Sequence, residues 1–308
     1  MMEYLLILER IAMLFIILII GFIIRKLNIL NSNSIKNMSS MLIKVTLPAM
    51  ILSSMPDNSS NPVISSTGYI LLISFGVYAV SLALAFIVSF ILHTPRTEKG
   101  VIRFIVIFSN VGFMGYPVLE AVFGRSALFY AAIYNIPFNL LVFTLGISLL
   151  IKGKSDKFNI NWKDFINAPS IAAIIGLLIM LTGIRLPGVI KDPLELLGEV
   201  TTPLSMIIIG GLLANISPSA IFTNWRIYAV SLFRLILIPL AVLFTLRLFI
   251  RNDPLLLGVP VIIAAMPAAA NTALLAEEYD ANPEFASQSV FVTTLLSVFT
   301  IPLIASFF

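Results

Sequence analysis

Long apolar runs separated by short polar breaks dominate the chain. The windows between breaks give ten candidate spans, at 4–24, 36–55, 67–92, 101–122, 126–151, 168–185, 191–214, 225–250, 256–277 and 284–307. They are close to the roughly 20 apolar residues a helix needs to cross the hydrocarbon core, and they lack the short alternating segments of a membrane barrel. The pattern predicts an all-α polytopic membrane protein. Composition agrees, with 59% of 308 residues hydrophobic and 11% charged. The mean hydropathy of +1.05 is more than a soluble domain of this size could keep in water.

The first apolar run is expected to be a retained span and not a signal peptide. Glu3, Glu9 and Arg10 make a poor basic leader, and the run is followed by Arg25-Lys26 in place of a small-residue cleavage site. Glu9 and Arg10 are expected near the outer interface, turned toward water. Loops after odd-numbered spans carry Arg25, Lys26, Lys36, Arg96, Lys99, Arg103, Lys152, Lys154, Lys157, Lys163 and Arg226. Those after even-numbered spans carry Arg125, Arg185, Lys191, Arg247 and Arg251. Retention of basic loops on the cytoplasmic side then predicts a multi-pass protein of the cell (plasma) membrane with both termini extracytoplasmic.

The connection from Lys152 to Asn167 divides the chain into 1–151, a cytoplasmic linker 152–167, and 168–308. Shifted by 155 residues, Val45-Thr46-Leu47-Pro48 in span two meets Val200-Thr201-Thr202-Pro203 in span seven. Span four likewise meets span nine, each a small-residue, proline-broken stretch with one asparagine. Because five spans is an odd number, the second half must enter the bilayer in the opposite sense. The expected architecture is a 5+5 inverted repeat with broken, crossing helices four and nine.

The breaks are the strongest chemical signal. Span four contains Ser109-Asn110-Val111-Gly112-Phe113-Met114-Gly115-Tyr116-Pro117, and span nine contains Met266-Pro267-Ala268-Ala269-Ala270-Asn271. Proline removes a backbone hydrogen bond and glycine lowers the cost of leaving helical geometry. In lipid the freed groups cost several kcal/mol each, so such a break is tolerated only inside protein or beside a watery cavity. Gly112, Gly115, Pro117 and Pro267 are therefore expected to interrupt two helices near the midplane. Exposed half-helix N-termini suit an anion, and Asn110 and Asn271 add amides that donate and accept. Ser109, Tyr116 and Thr272 are neighbouring candidates, and Pro48 and Pro203 are candidates for kinks facing the same cavity.

Other polar residues are read as structural. Lys44 is expected to snorkel, and Glu120, Arg125, Glu277, Glu278 and Asp280 to be interfacial. Arg234 in span eight is the exception, better placed for function, although its depth could be supported by backbone carbonyls alone, while Asn135, Asn139 and Gln288 would brace the broken helices. His93 lies in a loop and is given no role. With no cysteine, no serine-histidine pairing and no deep aspartate pair, the sequence predicts no enzyme, metal site or cofactor. A coupling proton or sodium ion is left open.

On these residues the chain resembles the auxin efflux carrier family, which includes plant PIN-type carriers and bacterial malate or malonate permeases. The resemblance extends over nearly the whole chain. It implies a scaffold of spans one, two, six and seven, and a transport domain of three to five and eight to ten. Substrate would bind beside the crossing, where Asn110, Pro117, Pro267 and Asn271 match the crossover motifs, and the family often forms homodimers. The expected function is secondary transport of small organic anions by alternating access, with the lipid bilayer as the other partner and no nucleic acid. The alternative is a membrane ligand sensor or channel using the same site.

Overall fold

The computed structural model describes residues 2–54, 61–151, 168–182, 184, 186–214, 224–250 and 253–308, so the linker 152–167, Arg185 and Arg251 lie outside it. Regular structure among the described residues is helical apart from one antiparallel bridge. Gly68–Ile91, Gly188–Leu213, Trp225–Arg247 and Pro283–Ala305 are each long and apolar enough to cross a membrane. Only 33–50% of the most apolar window in each is buried, leaving an apolar face outward. Leu72 (69% exposed), Phe90 (80%) and Phe244 (59%) stand on that surface, which only lipid solvates without cost. The protein is an integral membrane protein.

The chain divides into two compact units. The first comprises Met1–Leu72, Gly112–Ile136 and Ile166–Asn215; the second comprises Ile73–Val111, Pro137–Phe165 and Ile216–Phe308.

Proline does less breaking than its chemistry suggests. Three π-helical turns, Leu42–Thr46, Val111–Gly115 and Phe233–Leu237, are each followed by a proline at the second position, Pro48, Pro117 and Pro239. A proline ring collides with the carbonyl four residues back and offers it no N–H; widening the preceding turn relieves both faults while the helix continues. The Leu47 N–H thus reaches the Leu42 carbonyl and the Ile238 N–H reaches that of Phe233, each five residues back. Pro203 sits differently, in the first turn of Thr201–Leu213, where its missing N–H costs little. Lys44 is exposed.

In the first unit, Met2–Lys26 packs along Thr201–Leu213 through glycine. A Cβ at Gly210 would overlap the Leu18 carbonyl oxygen, and one at Gly21 would overlap that of Ile207. Small residues let two backbones approach closely, and dispersion along that seam replaces the hydrophobic drive that lipid removes. Gly198 lets Gly188–Glu199 meet the Leu47–Ser53 helix, since a Cβ there would lie 2.8 Å from the Met50 Cα.

Candidate functional site

Two helices of the second unit stop, and the stretches that follow them meet. Arg96–Ile107 stops, residues 108–110 run extended, and a new helix begins at Val111. Pro254–Ala265 also stops, and Asn271–Glu278 begins beyond residues 266–270. The two extended stretches pair antiparallel at Ser109 and Ala268. The Asn110 N–H donates to the Pro267 carbonyl at 2.8 Å, and the Ala269 N–H donates to that of Phe108 at 3.2 Å. A short two-stranded ladder thus satisfies backbone groups that the helix breaks release, as burial in a membrane protein requires.

The ladder is braced from two sides. Thr293, on Pro283–Ala305, accepts from the Ala268 N–H at 3.2 Å while its own hydroxyl proton is directed at the Ser289 carbonyl, 2.7 Å away. Arg234 is 1% exposed and donates through Nε to the Met266 carbonyl (3.1 Å), through Nη1 to Val106 (2.9 Å) and through Nη2 to Ala264 (3.1 Å). These carbonyls belong to the C-terminal ends of Arg96–Ile107 and Pro254–Ala265, where four acceptors per helix lack intrahelical partners and the dipole is negative. The π-turn Phe233–Leu237 carries Arg234, and Pro239 lies just beyond it.

Ser109, Asn110, Pro267 and Thr272 are therefore gathered and buried at one crossing, with Asn271 half-buried as the first residue of its helix. The Thr272 hydroxyl donates to the Ala269 carbonyl at 2.6 Å. Pro267 lies in its break. Gly112, Gly115 and Pro117 do not: the interruption of span four falls at residues 108–110, upstream of them, and all three sit in the continuous helical stretch Val111–Phe123. Gly112 and Gly115 fall in the π-turn and Pro117 in the first turn of the helix after it. Tyr116, Pro48 and Pro203 belong to the first unit, where Tyr116 is fully buried beside Asn135 on the helix Ser126–Leu141.

The first unit also holds an ionic cluster. Arg125 follows Gly124, whose φ of 77° ends Tyr116–Phe123. Arg125 donates to Glu195 and, at 2.7 Å, to Glu199, with Glu120 3.8 Å away; Thr202 donates to Glu120 at 2.9 Å. Burial works against the Arg125 charge, but hydrogen bonds to Glu199 and Glu195 and the charges of Glu195 and Glu120 outweigh it, holding the guanidinium above its ordinary value. Glu120 and Arg125 thus have named partners within the cluster. Among the described residues no group of three or more histidine, aspartate and glutamate side chains could hold a metal.

Thr293 is the residue that sequence reasoning missed. Ser289, Thr293 and Ser297 recur every four residues on one buried face of the last helix. A hydroxyl stripe at that spacing on one face of the helix was the available signal.

Buried helix interruptions paired through backbone, together with helices that keep an apolar face outward, are features of a membrane transport protein. The profile of one family, described as membrane transport protein, matches residues 6–161 and 156–305, and the chain belongs to that family, which includes the auxin efflux carriers. It is also similar to an uncharacterized transporter of Methanocaldococcus jannaschii, 26% identical over 302 residues and 96% of each chain. An uncharacterized transporter of Methanothermobacter thermautotrophicus is 26% identical over 306 residues, again 96% of each. The protein is a transporter and not an enzyme.

Proposed function

We propose that this protein is a secondary carrier of small organic anions, carboxylates such as malate, malonate or auxin-like acids, working by alternating access. The observation that carries this reading is the charge balance at the crossing. Arg234 places a full positive charge on the carbonyl ends of the two leading half-helices. The N-terminal ends of the two following half-helices keep their partial positive charge, so the polarity offered there suits an anion.

Asn110 and Asn271 stand at the starts of those following half-helices and supply amides for a carboxylate, with Ser109 and Thr272 beside them. Two inverted five-span repeats, a scaffold of spans one, two, six and seven, and a homodimer in the plasma membrane with extracytoplasmic termini belong to the same proposal.

Uptake of labelled malate, malonate, lactate and indole-3-acetate into proteoliposomes tests it. At least one acid should show saturable flux and counterflow exchange, and Asn110→Ala or Asn271→Ala should lower substrate affinity about tenfold, the loss of one or two hydrogen bonds, at near-normal expression. No saturable flux of any acid in either direction, under imposed proton or sodium gradients, would sink the proposal. Ligand-dependent single-channel currents in place of exchange would favour a channel.

A further inference from the structure

We propose that Arg234 is a tethered cation occupying the seat in which a carrier of this architecture would hold a coupling metal cation. The protein would then need no sodium at the crossing, and truncating Arg234 would open a site for a small monovalent cation.

In carriers built from discontinuous helices, carbonyls from unwound backbone and from half-helix C-termini converge to coordinate a cation. The same donor set is present here. Val106 and Ala264 contribute carbonyls from the ends of the two leading half-helices, and Met266 contributes one from the unwound stretch. All three oxygens lie 2.9–3.1 Å from nitrogens of one guanidinium. An arginine presents five donors in a planar fork and remains protonated, so it satisfies several acceptors as permanently as its own chain holds it in place.

The delivery of this group is built into the backbone. Pro239 is preceded by the π-turn Phe233–Leu237, and within that turn Arg234 is directed inward at 1% exposure. A charge at this depth is costly unless its partners are fixed. Two broken helices paired through Asn110–Pro267 and Phe108–Ala269 fix them. Positive charge, carbonyl acceptors and rigid ladder are thus mutually dependent. An exchangeable ion would have to displace a side chain that cannot leave.

The proposal rests on reading the crossing as a transport site, but its test needs no substrate. Thermal melting of the purified full-length protein is followed in sodium, potassium or N-methylglucamine chloride at matched ionic strength. The wild type is expected to melt at the same temperature in all three. Arg234→Ala should melt roughly 5–10 °C lower in N-methylglucamine chloride, because three buried carbonyls lose their donors. Sodium, or millimolar guanidinium, should restore a large part of that loss in a saturable way. Where the alanine variant yields no folded protein, Arg234→Gln, which keeps an amide donor and drops the charge, takes its place with the same expectation.

A saturable rise of the wild-type melting temperature with sodium would overturn the proposal. So would a folded Arg234→Ala or Arg234→Gln protein indifferent to every added cation. A sodium-indifferent wild type that carries no carboxylate would retire the carrier reading alone.

Discussion

Thr293→Val separates the ladder at the crossing from the bulk of the fold. Thr293 is fully buried, and its oxygen accepts the Ala268 N–H at 3.2 Å while its proton serves carbonyls of its own helix. Valine matches threonine in shape and removes the hydroxyl, so no cavity forms, carbonyls of the same helix lose an additional donor, and the buried Ala268 N–H is orphaned. Such a group costs about 1–3 kcal/mol. Ala268 is the bridge residue opposite Ser109, so the cost should fall on local opening of the paired segment, raising amide exchange there about 5- to 150-fold. Hydrogen-exchange mass spectrometry on peptides spanning 104–111 and 264–272 reads this directly. Thr293→Ser keeps the acceptor and should stay near wild type. Equal protection of both peptides in Thr293→Val and wild type would refute the brace. Faster exchange spread evenly over all helices would show that Thr293 supports the whole fold and not the crossing.

Two glycines give opposite expectations for the same change. Gly210→Ala forces a Cβ into the Leu18 carbonyl and should cost about 1–3 kcal/mol, seen as a lower melting temperature; Gly112→Ala meets nothing within 4 Å and should be neutral or slightly stabilising. Equal effects would contradict the packing of Met2–Lys26 on Thr201–Leu213. Arg125→Ala removes contacts to Glu195 and Glu199 whose side chains are 40% and 56% exposed. Each such pair contributes only about 0.2–1 kcal/mol, so the melting temperature should fall by a few degrees at low salt, with the difference from wild type shrinking at high salt. A loss that persists unchanged at high salt would mean that packing, and not charge, is at stake.

The apolar runs were legible because length and hydropathy are local properties, and lipid enforces both. The interruption of the second broken helix was legible for the same reason. Pro267 has no N–H and its ring clashes with the carbonyl four residues back, so it cannot easily continue Pro254–Ala265, and the helix stops there. The first interruption was displaced from its apparent signal. Gly112, Gly115 and Pro117 suggested a break where the structure has a π-turn and a continuing helix, while residues 108–110, with neither glycine nor proline, run extended. Nothing local requires that. The cost of leaving the helix is met by bonds from Asn110 to Pro267 and from Ala269 to Phe108, partners more than 150 positions away in the chain. One strand of the ladder is written in its own sequence and the other is imposed by pairing.

The same division between local and distant causes explains why Arg234 was visible as a residue but not as a device. Its sequence shows an arginine inside an apolar run, five positions before a proline. The local consequence, a widened turn ahead of Pro239, follows from the chemistry of proline alone. What the arginine is for depends on carbonyls of Val106, Ala264 and Met266, which lack helical partners only because both helices are interrupted beside it. The guanidinium would be intolerably placed in an unbroken bundle, and the broken carbonyls would be costly without it. Each defect is the other's remedy. That mutual compensation makes the leading half-helix ends a fixed, positively charged foundation, built from residues that no single stretch of sequence brings together.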